Sequence, residues 1–284
     1  MKMAKKKGNA RVTSTEQYYT PLSTAISVLE NVASIFPNFT EKMFIEPAGG
    51  TGAFIHAAKE FGVTKIISYD IEPLHDGIIK GDFLQQSLNI SNAITVSNPP
   101  FGRNNSLSIP FFNHSAKYSE IIVFIVPRSW RKWSVTNRLN RQFHLVKDDD
   151  LNINYVDLNG NQISSNNNLR TCVQYWQAQK ELRNLVYVKD MKIVEKCSFN
   201  DADVALTVFG YSCGNVKIEF ERKENSTLMF LRLCHSKALE ALQSVDFSKF
   251  FMNTAYTEAL SMPEINYLLN EYVFGDPMIT TTKK

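Results

Sequence analysis

Short apolar runs alternate with polar segments rich in glycine or proline over the first half of the chain. The runs at 43–45, 66–67, 93–96 and 120–127 have the length of buried strands, and turn residues follow most of them. Between them, 23–30 carries apolar residues at helical spacing. This alternation predicts an α/β fold in which a mostly parallel sheet has helices on both faces.

Two later apolar segments, Thr171–Trp176 and Val204–Tyr211, predict further strands of the same sheet. After about residue 215 the pattern changes, and it predicts a strand over 216–221 followed by helices over 227–243 and 264–272. We therefore expect three parts. They are a basic disordered tail over 1–16, a main domain over 17–215 and a small C-terminal extension over 216–284.

Composition narrows the classes of protein that fit. Hydrophobic residues make up 44% of the 284 residues, enough for a packed core. The longest apolar runs span about eight residues, so we expect no membrane span. The cysteines and histidines show no metal-ligand spacing, so we predict no metal site. The cysteines are widely separated, which predicts free thiols in a reducing compartment, the cytoplasm or the nucleus.

The charge is unevenly distributed. The formal net charge is +3, but five of the 31 basic residues lie in the first eleven positions, leaving 26 against 28 acidic residues. Any surface that binds nucleic acid must therefore be local. One candidate follows the strand that ends at Pro127, where basic residues and tryptophans are interleaved without an acid. The residues predicted to contact nucleic acid there are Arg128, Trp130, Arg131 and Lys132, which could neutralise phosphates and stack on bases.

The most informative segment is Asn98-Pro99-Pro100-Phe101, directly after the apolar run at 93–96. The prolines fix φ and keep the preceding residues out of the helical region. A side-chain amide, a free carbonyl and an aromatic ring are thereby presented at the carboxyl end of a strand. These groups suit the capture of a planar group that carries an amine.

A glycine-rich turn follows the first strand, in the segment Glu46-Pro47-Ala48-Gly49-Gly50-Thr51-Gly52. A helix follows, so the order is strand, glycine turn and helix, the context of a nucleotide-binding loop. The next apolar run ends at Asp70 about twenty residues later, where an acid commonly binds ribose hydroxyls.

Taken in order, these segments resemble the S-adenosylmethionine-dependent N6-adenine methyltransferases of the gamma type. The family's motif order is an amino-terminal segment, a glycine loop, a strand-end acid, an Asp-aromatic pair and Asn-Pro-Pro-aromatic. The resemblance implies a class I methyltransferase (Rossmann-like) fold, with 17–215 as the catalytic domain. It implies catalytic roles for Asn98, Pro99, Pro100 and Phe101. It implies that S-adenosylmethionine contacts Tyr19, Thr20, Pro21, Glu46, Ala48, Gly49, Gly50, Gly52, Asp70, Ile71, Asp82 and Phe83.

The chain departs from the family pattern in three respects. Glu46 stands where the family has Asp, Phe101 replaces the commoner Tyr, and no large target-recognition domain is evident. We expect methyl transfer to N6 of adenine in nucleic acid, with DNA favoured over RNA. A partner subunit could then supply target recognition. The alternatives are a protein glutamine N5-methyltransferase, which uses a similar Asn-Pro-Pro-aromatic site, and a catalytically silent methyltransferase-like binding subunit.

Overall fold

The computed structural model describes residues 19–153, 155–156, 169–221 and 227–282, so the predicted tail over 1–16 lies outside the described residues. The helices are α1 Leu22–Ile35, α2 Ala53–Glu60, α3 Ser108–Ser115, α4 Trp133–Thr136, α5 Ala238–Ser244, α6 Ser248–Phe251 and α7 Met262–Phe274. The strands are β1 Phe44–Glu46, β2 Ile66–Asp70, β3 Ile79–Lys80, β4 Ala93–Ser97, β5 Ser119–Pro127, β6 Phe143–Leu151, β7 Thr171–Ala178, β8 Leu185–Val188, β9 Val194–Lys196, β10 Val204–Thr207, β11 Val216–Lys217, β12 Leu228–Leu233 and β13 Ile279–Thr282.

The chain divides into two compact units. The first consists of Met1–Val126, Leu145–Asn166 and Val173–Ala178, and the second of Pro127–His144, Asn167–Cys172 and Gln179–Lys284. The second unit therefore includes the predicted extension over 216–284 and also much of the chain before it.

A seven-stranded sheet in the order β3-β2-β1-β4-β5-β7-β6 organises the first unit. The pairs β2–β3, β1–β2, β1–β4 and β4–β5 are parallel. Up to β5 the order is that of a doubly wound nucleotide-binding sheet, and β7 then lies between β5 and β6. The predicted α/β fold, with its mostly parallel sheet, is confirmed.

Helices cover both faces of this sheet. On one face α1 and α2 bury apolar side chains such as Leu29 and Phe54 against alternate strand residues, among them Val123. Side chains of successive strand residues point to opposite faces. Accordingly the neighbouring residue Phe124 packs edge-on against Phe112 of α3, with ring centroids 5.9 Å apart. Both faces are therefore buried, which explains why β4 and β5 read as nearly continuous apolar runs.

The second unit has its own sheets and its own core. A four-stranded sheet has the order β11-β10-β12-β9, and β8 pairs with β13. The apolar cluster that stabilises this unit includes Val204, Leu206, Leu231, Leu242 and Leu269, all nearly or fully buried.

Three sequence predictions are wrong in this unit. The strand predicted in Val204–Tyr211 forms as β10 but belongs to the four-stranded sheet, where it pairs antiparallel with β12. The helix predicted over 227–243 is instead strand β12 followed by α5. The strand predicted over 216–221 is limited to the two residues of β11. In contrast, the helix predicted over 264–272 is present as α7.

Among the described residues, no helix is both long enough and apolar enough to cross a bilayer.

Candidate active site

The polar residues that the sequence singled out lie at the carboxyl ends of parallel strands. Glu46 ends β1, Asp70 ends β2, and Asn98 follows the last residue of β4. The strand order reverses between β1 and β4, since β2 lies beyond β1 and β5 lies beyond β4. Ligands of open α/β sheets bind in the crevice at such a switch point.

The glycine turn after β1 packs too closely for side chains at two positions. A Cβ atom on Gly49 would lie 2.3 Å from Oγ of Ser68, and Gly50 has a φ of +52°. The Tyr19 ring covers the turn, because a Cβ on Gly50 would lie 3.1 Å from its Cδ1 atom. Only glycine therefore allows the backbone to lie this close to β2 and to the Tyr19 ring.

Glu46 is a buried carboxyl group in the wall of the crevice, with 1% of its surface exposed. Ser68 Oγ donates a hydrogen bond of 3.1 Å to its Oε2 atom. Burial raises the pKa of Glu46 well above its usual value, the Ser68 hydrogen bond opposes this shift, and the nearby charge of Asp70 adds to it.

Asp70 holds the backbone around the crevice. Its Oδ2 atom accepts a hydrogen bond from the Gly50 amide at 2.8 Å, and Oδ1 accepts one from the Glu72 amide at 2.9 Å. A carboxylate has about four acceptor positions, so Asp70 retains capacity for ribose hydroxyls. Partial burial, followed by the charges of Asp70 and Glu72, raises the pKa of Tyr19.

The Asp82–Phe83 pair forms another part of the wall. Asp82 Oδ1 accepts a hydrogen bond from the Leu84 amide at 2.9 Å and so caps a short 3-10 turn. Phe83 is 1% exposed, and its ring lies 4.9 Å from the His114 ring and 6.0 Å from the Phe111 ring. The turn therefore directs an aromatic ring into a packed aromatic cluster beside the crevice.

Asn98 is held by a residue far away in the sequence. Its Nδ2 atom donates a hydrogen bond of 3.2 Å to Oγ1 of Thr20. The carbonyl of Phe101 accepts bonds from the amides of Leu107 and Ser108 at 3.3 and 3.4 Å, which ties the Asn-Pro-Pro-Phe turn to the start of α3. Phe101 itself is only 6% exposed.

These groups surround one cavity of about 480 Å³, large enough for a small organic ligand. The cavity is lined by all four predicted catalytic residues and by ten of the predicted cofactor residues, namely Tyr19, Thr20, Glu46, Ala48, Gly49, Gly50, Asp70, Ile71, Asp82 and Phe83. Pro21 and Gly52 do not line it. Lining residues that the sequence reasoning missed include Glu72, Leu107 and Phe111. The last two come from α3 and the turn before it, whose approach to the crevice only the tertiary fold defines.

The cavity is acidic. Four carboxyl groups, on Glu46, Asp70, Glu72 and Asp82, line its wall, and none of the lining residues is Lys, Arg or His. Such a wall attracts a cation and repels phosphate groups. The described residues contain no group of three or more His, Cys, Asp or Glu side chains arranged to hold a metal ion.

The basic segment after Pro127 is partly structural. Trp130 is fully buried, so its ring lies within the protein and not at the surface. Lys132 Nζ bonds both oxygens of the buried Glu264 at 2.9 Å, within the second unit. Arg128 donates through Nε to the carbonyl of Thr171 at 3.4 Å, and both Arg128 and Arg131 are half-buried.

Comparisons with known proteins give only distant likenesses. No protein-family model matches the sequence, and no curated protein does. A candidate RNA methyltransferase from Pyrococcus horikoshii has 18% identity and a TM-score of 0.46 over 60% of this chain and 90% of its own. A protein from Thermoplasma acidophilum has 15% identity and a TM-score of 0.45 over 59% and 93%.

The modification subunit of a candidate type I restriction enzyme from Vibrio vulnificus has 13% identity and a TM-score of 0.43, over 61% of this chain and 46% of its own. At these TM-scores the likenesses establish no activity. The strand order and the cavity carry the functional argument instead.

Proposed function

We propose that the chain binds S-adenosylmethionine in the acidic cavity and transfers its methyl group to N6 of adenine in nucleic acid, DNA in preference to RNA. The observation that supports this proposal is that two features line the same cavity. Four carboxyl groups without a basic residue favour a cationic ligand, and Asn98-Pro99-Pro100-Phe101 forms part of the same wall.

The residues of the cavity fit the cofactor by charge and by shape. Glu46 would bind its ammonium group, Asp70 its ribose hydroxyls and Asp82 the amino group of its adenine. Ile71, which is 60% exposed beside the crevice, and Phe83 would contact the adenine ring. Each carboxylate acts here as an acceptor, the one role that it retains when ionised. When bound, S-adenosylmethionine supplies a methyl group activated by a positive sulfur.

The Asn-Pro-Pro-Phe turn would act on the target amine. The side-chain oxygen of Asn98 and the carbonyl of Pro99 accept the two N6 hydrogens, which directs the nitrogen lone pair toward the methyl carbon. The new nitrogen–carbon bond forms as the carbon–sulfur bond breaks, the bonding pair goes to sulfur, and one N6 proton passes to water. Positioning of this kind supplies several kcal/mol of a barrier. Phe101 contributes a ring against the extruded base.

Target binding would draw on the basic side chains of Arg128 and Arg131. The buried Trp130 and the ion-paired Lys132 serve the packing of the second unit, so only the two arginines would contact phosphates. A partner subunit that supplies target recognition is compatible with this division.

The decisive experiment uses labelled S-adenosylmethionine with separate pools of DNA, RNA and protein. We expect label in N6-methyladenine of DNA, less label in N6-methyladenine of RNA, and none in protein. Label on glutamine side chains would support the glutamine methyltransferase instead. Cofactor binding without transfer to any pool would support the silent binding subunit.

A further inference from the structure

Thr20 contacts the amide that the proposed reaction depends on. Its Oγ1 atom accepts the 3.2 Å hydrogen bond from Asn98 Nδ2, across 78 residues of sequence. Thr20 is 8% exposed, and both residues line the cavity. This contact differs from the role that the family resemblance implies for Thr20, which is to bind the cofactor.

The two ends of the Asn98 side chain have opposite hydrogen-bonding properties. The NH₂ end donates and the oxygen accepts, and rotation about the last side-chain torsion exchanges them. An acceptor at Nδ2 therefore fixes the position of Oδ1 as well. Of the two ends of this side chain, only Oδ1 can accept a hydrogen from the target amine, so the amide must be held with its oxygen in a defined place.

Tyr19 and Thr20 are adjacent in the chain but contact different parts of the cavity. The Tyr19 ring lies on the glycine turn, which belongs to the cofactor side of the cavity. A backbone bridge to Val156 holds this segment, since the Val156 amide donates to the Tyr19 carbonyl at 3.3 Å. The next residue, Thr20, faces the Asn98 amide.

From these contacts we infer that Thr20 is a positioning residue for methyl transfer, which acts by holding the Asn98 amide. The inference rests on the proposed function and deepens it, because it separates residues that bind cofactor from residues that present the target amine. Removing the hydroxyl should leave the cofactor site intact while the amide loses its fixed orientation.

The test compares Thr20→Val, Thr20→Ser and the parent chain in turnover with labelled S-adenosylmethionine on adenine-containing DNA. We expect Thr20→Val to lower kcat by about 10–100-fold, as misplacement of a reacting group does. Its calorimetric affinity for S-adenosylmethionine should stay within about twofold, because cofactor contacts are unchanged. Thr20→Ser keeps the hydroxyl and should recover most of the turnover.

Ser23→Ala is the matched control, because Ser23 carries an exposed hydroxyl three residues further along and should leave kcat unchanged. The inference is overturned if Thr20→Val keeps the parental kcat. It is also overturned if cofactor affinity falls in proportion to turnover, or if Thr20→Ser is no better than Thr20→Val. In these cases an active parent still supports the proposed function. A parent chain that methylates none of the pools overturns the proposed function itself.

Discussion

The hydroxyl of Ser68 donates a hydrogen bond to the carboxyl group of Glu46, and the two residues lie on adjacent strands with only 1% of each exposed. In the register of the sheet, Glu46 of β1 is the direct partner of Ser68 of β2. Gly49 makes room for this contact, since a Cβ there would collide with the Ser68 hydroxyl. The local sequence therefore builds a buried acid in a cavity without a basic residue.

Glu46 should make the stability of the ligand-free protein depend on pH. In the unfolded chain the group titrates near its usual value of 4.5, whereas burial raises the pKa in the folded chain. Above 4.5 the unfolded state therefore binds fewer protons than the folded state. The stability that Glu46 contributes is complete below 4.5 and is lost as the pH rises through the folded pKa.

Replacement of Glu46 by Gln tests this directly. The variant keeps a neutral group of the same shape, so at neutral pH the ligand-free protein should unfold at a higher temperature than the parent. Affinity for S-adenosylmethionine should fall, and its increase with pH in the parent should disappear. Calorimetry and thermal unfolding between pH 5 and 8 measure both effects. Glu60→Gln, at the exposed end of α2, is the control. If the parent and Glu46→Gln show the same dependence of unfolding temperature and of affinity on pH, the role assigned to Glu46 is refuted.

Asp70 should affect both the glycine turn and the cofactor. Asp70→Asn removes one of the two carboxylate oxygens that accept the Gly50 and Glu72 amides. We expect binding of S-adenosylmethionine to weaken by about 1–3 kcal/mol, the range for a hydrogen bond to a charged group. Calorimetry measures this affinity, and Asp76→Asn, at an exposed position in the loop after β2, is the control. Unchanged affinity in a folded Asp70→Asn protein would exclude the ribose role.

Asn98→Ala should abolish transfer without removing the cofactor. The amide acts on the target amine in the proposed mechanism, so the affinity for S-adenosylmethionine should change less than about threefold while turnover falls by a factor of about 10² or more. Turnover of labelled cofactor on DNA measures the loss. Asn89→Ala, at an exposed position before β4, the strand that Asn98 follows, serves as the control. Near-parental turnover of Asn98→Ala would show that the catalytic assignment is wrong.

The features that the sequence predicts correctly depend on residues that are adjacent in the chain. Glycine, proline and acidic residues that directly follow apolar runs identified the ends of β1, β2 and β4, because these residues interrupt a strand by their own backbone properties. Strand ends of a parallel sheet meet at one edge. The positions of Glu46, Asp70 and Asn98 around one cavity could therefore be predicted without a structure.

The wrong predictions concern elements whose partners are distant in the chain. The apolar run in Val204–Tyr211 indicates a strand but not which sheet the strand joins, and its partner β12 begins 21 residues after the end of β10. The segment that forms β12, Leu-Met-Phe-Leu-Arg-Leu, is a short apolar run that suits a helix as well as a strand. Pairing with β10 and β9 decides between them.

The basic segment illustrates the same limit for side chains. Trp130 in a run of arginines and lysines is typical of a nucleic-acid surface, yet its ring is completely buried. Lys132 pairs with a carboxylate 132 positions away, which no local pattern reveals. A charge in the sequence therefore does not establish a charge at the surface.

Lys132→Met should destabilise the second unit. The substitution removes the charge that compensates Glu264, whose side chain is 2% exposed. Glu264 also caps α7 by accepting hydrogen bonds from the amide and hydroxyl of Ser261. Because Lys132 keeps 18% exposure, we expect a loss of about 2–4 kcal/mol in unfolding free energy, toward the lower end for a broken buried pair. Denaturant unfolding measures the loss, and Lys180→Met at an exposed turn should lie within about 0.5 kcal/mol of the parent.

Arg131→Ala should weaken nucleic-acid binding in a salt-dependent manner. If Arg131 contacts one phosphate, DNA binding by the Arg131→Ala variant releases about one counterion fewer than binding by the parent. The slope of log affinity against log salt should then be smaller in magnitude by about one. Titration of a fluorescent DNA duplex between low and moderate salt gives this slope. Affinity for S-adenosylmethionine and the unfolding free energy should stay at parental values, which separates Arg131→Ala from Lys132→Met. An unchanged slope in Arg131→Ala, together with an unchanged slope in Arg128→Ala, would remove this segment from the proposed nucleic-acid surface.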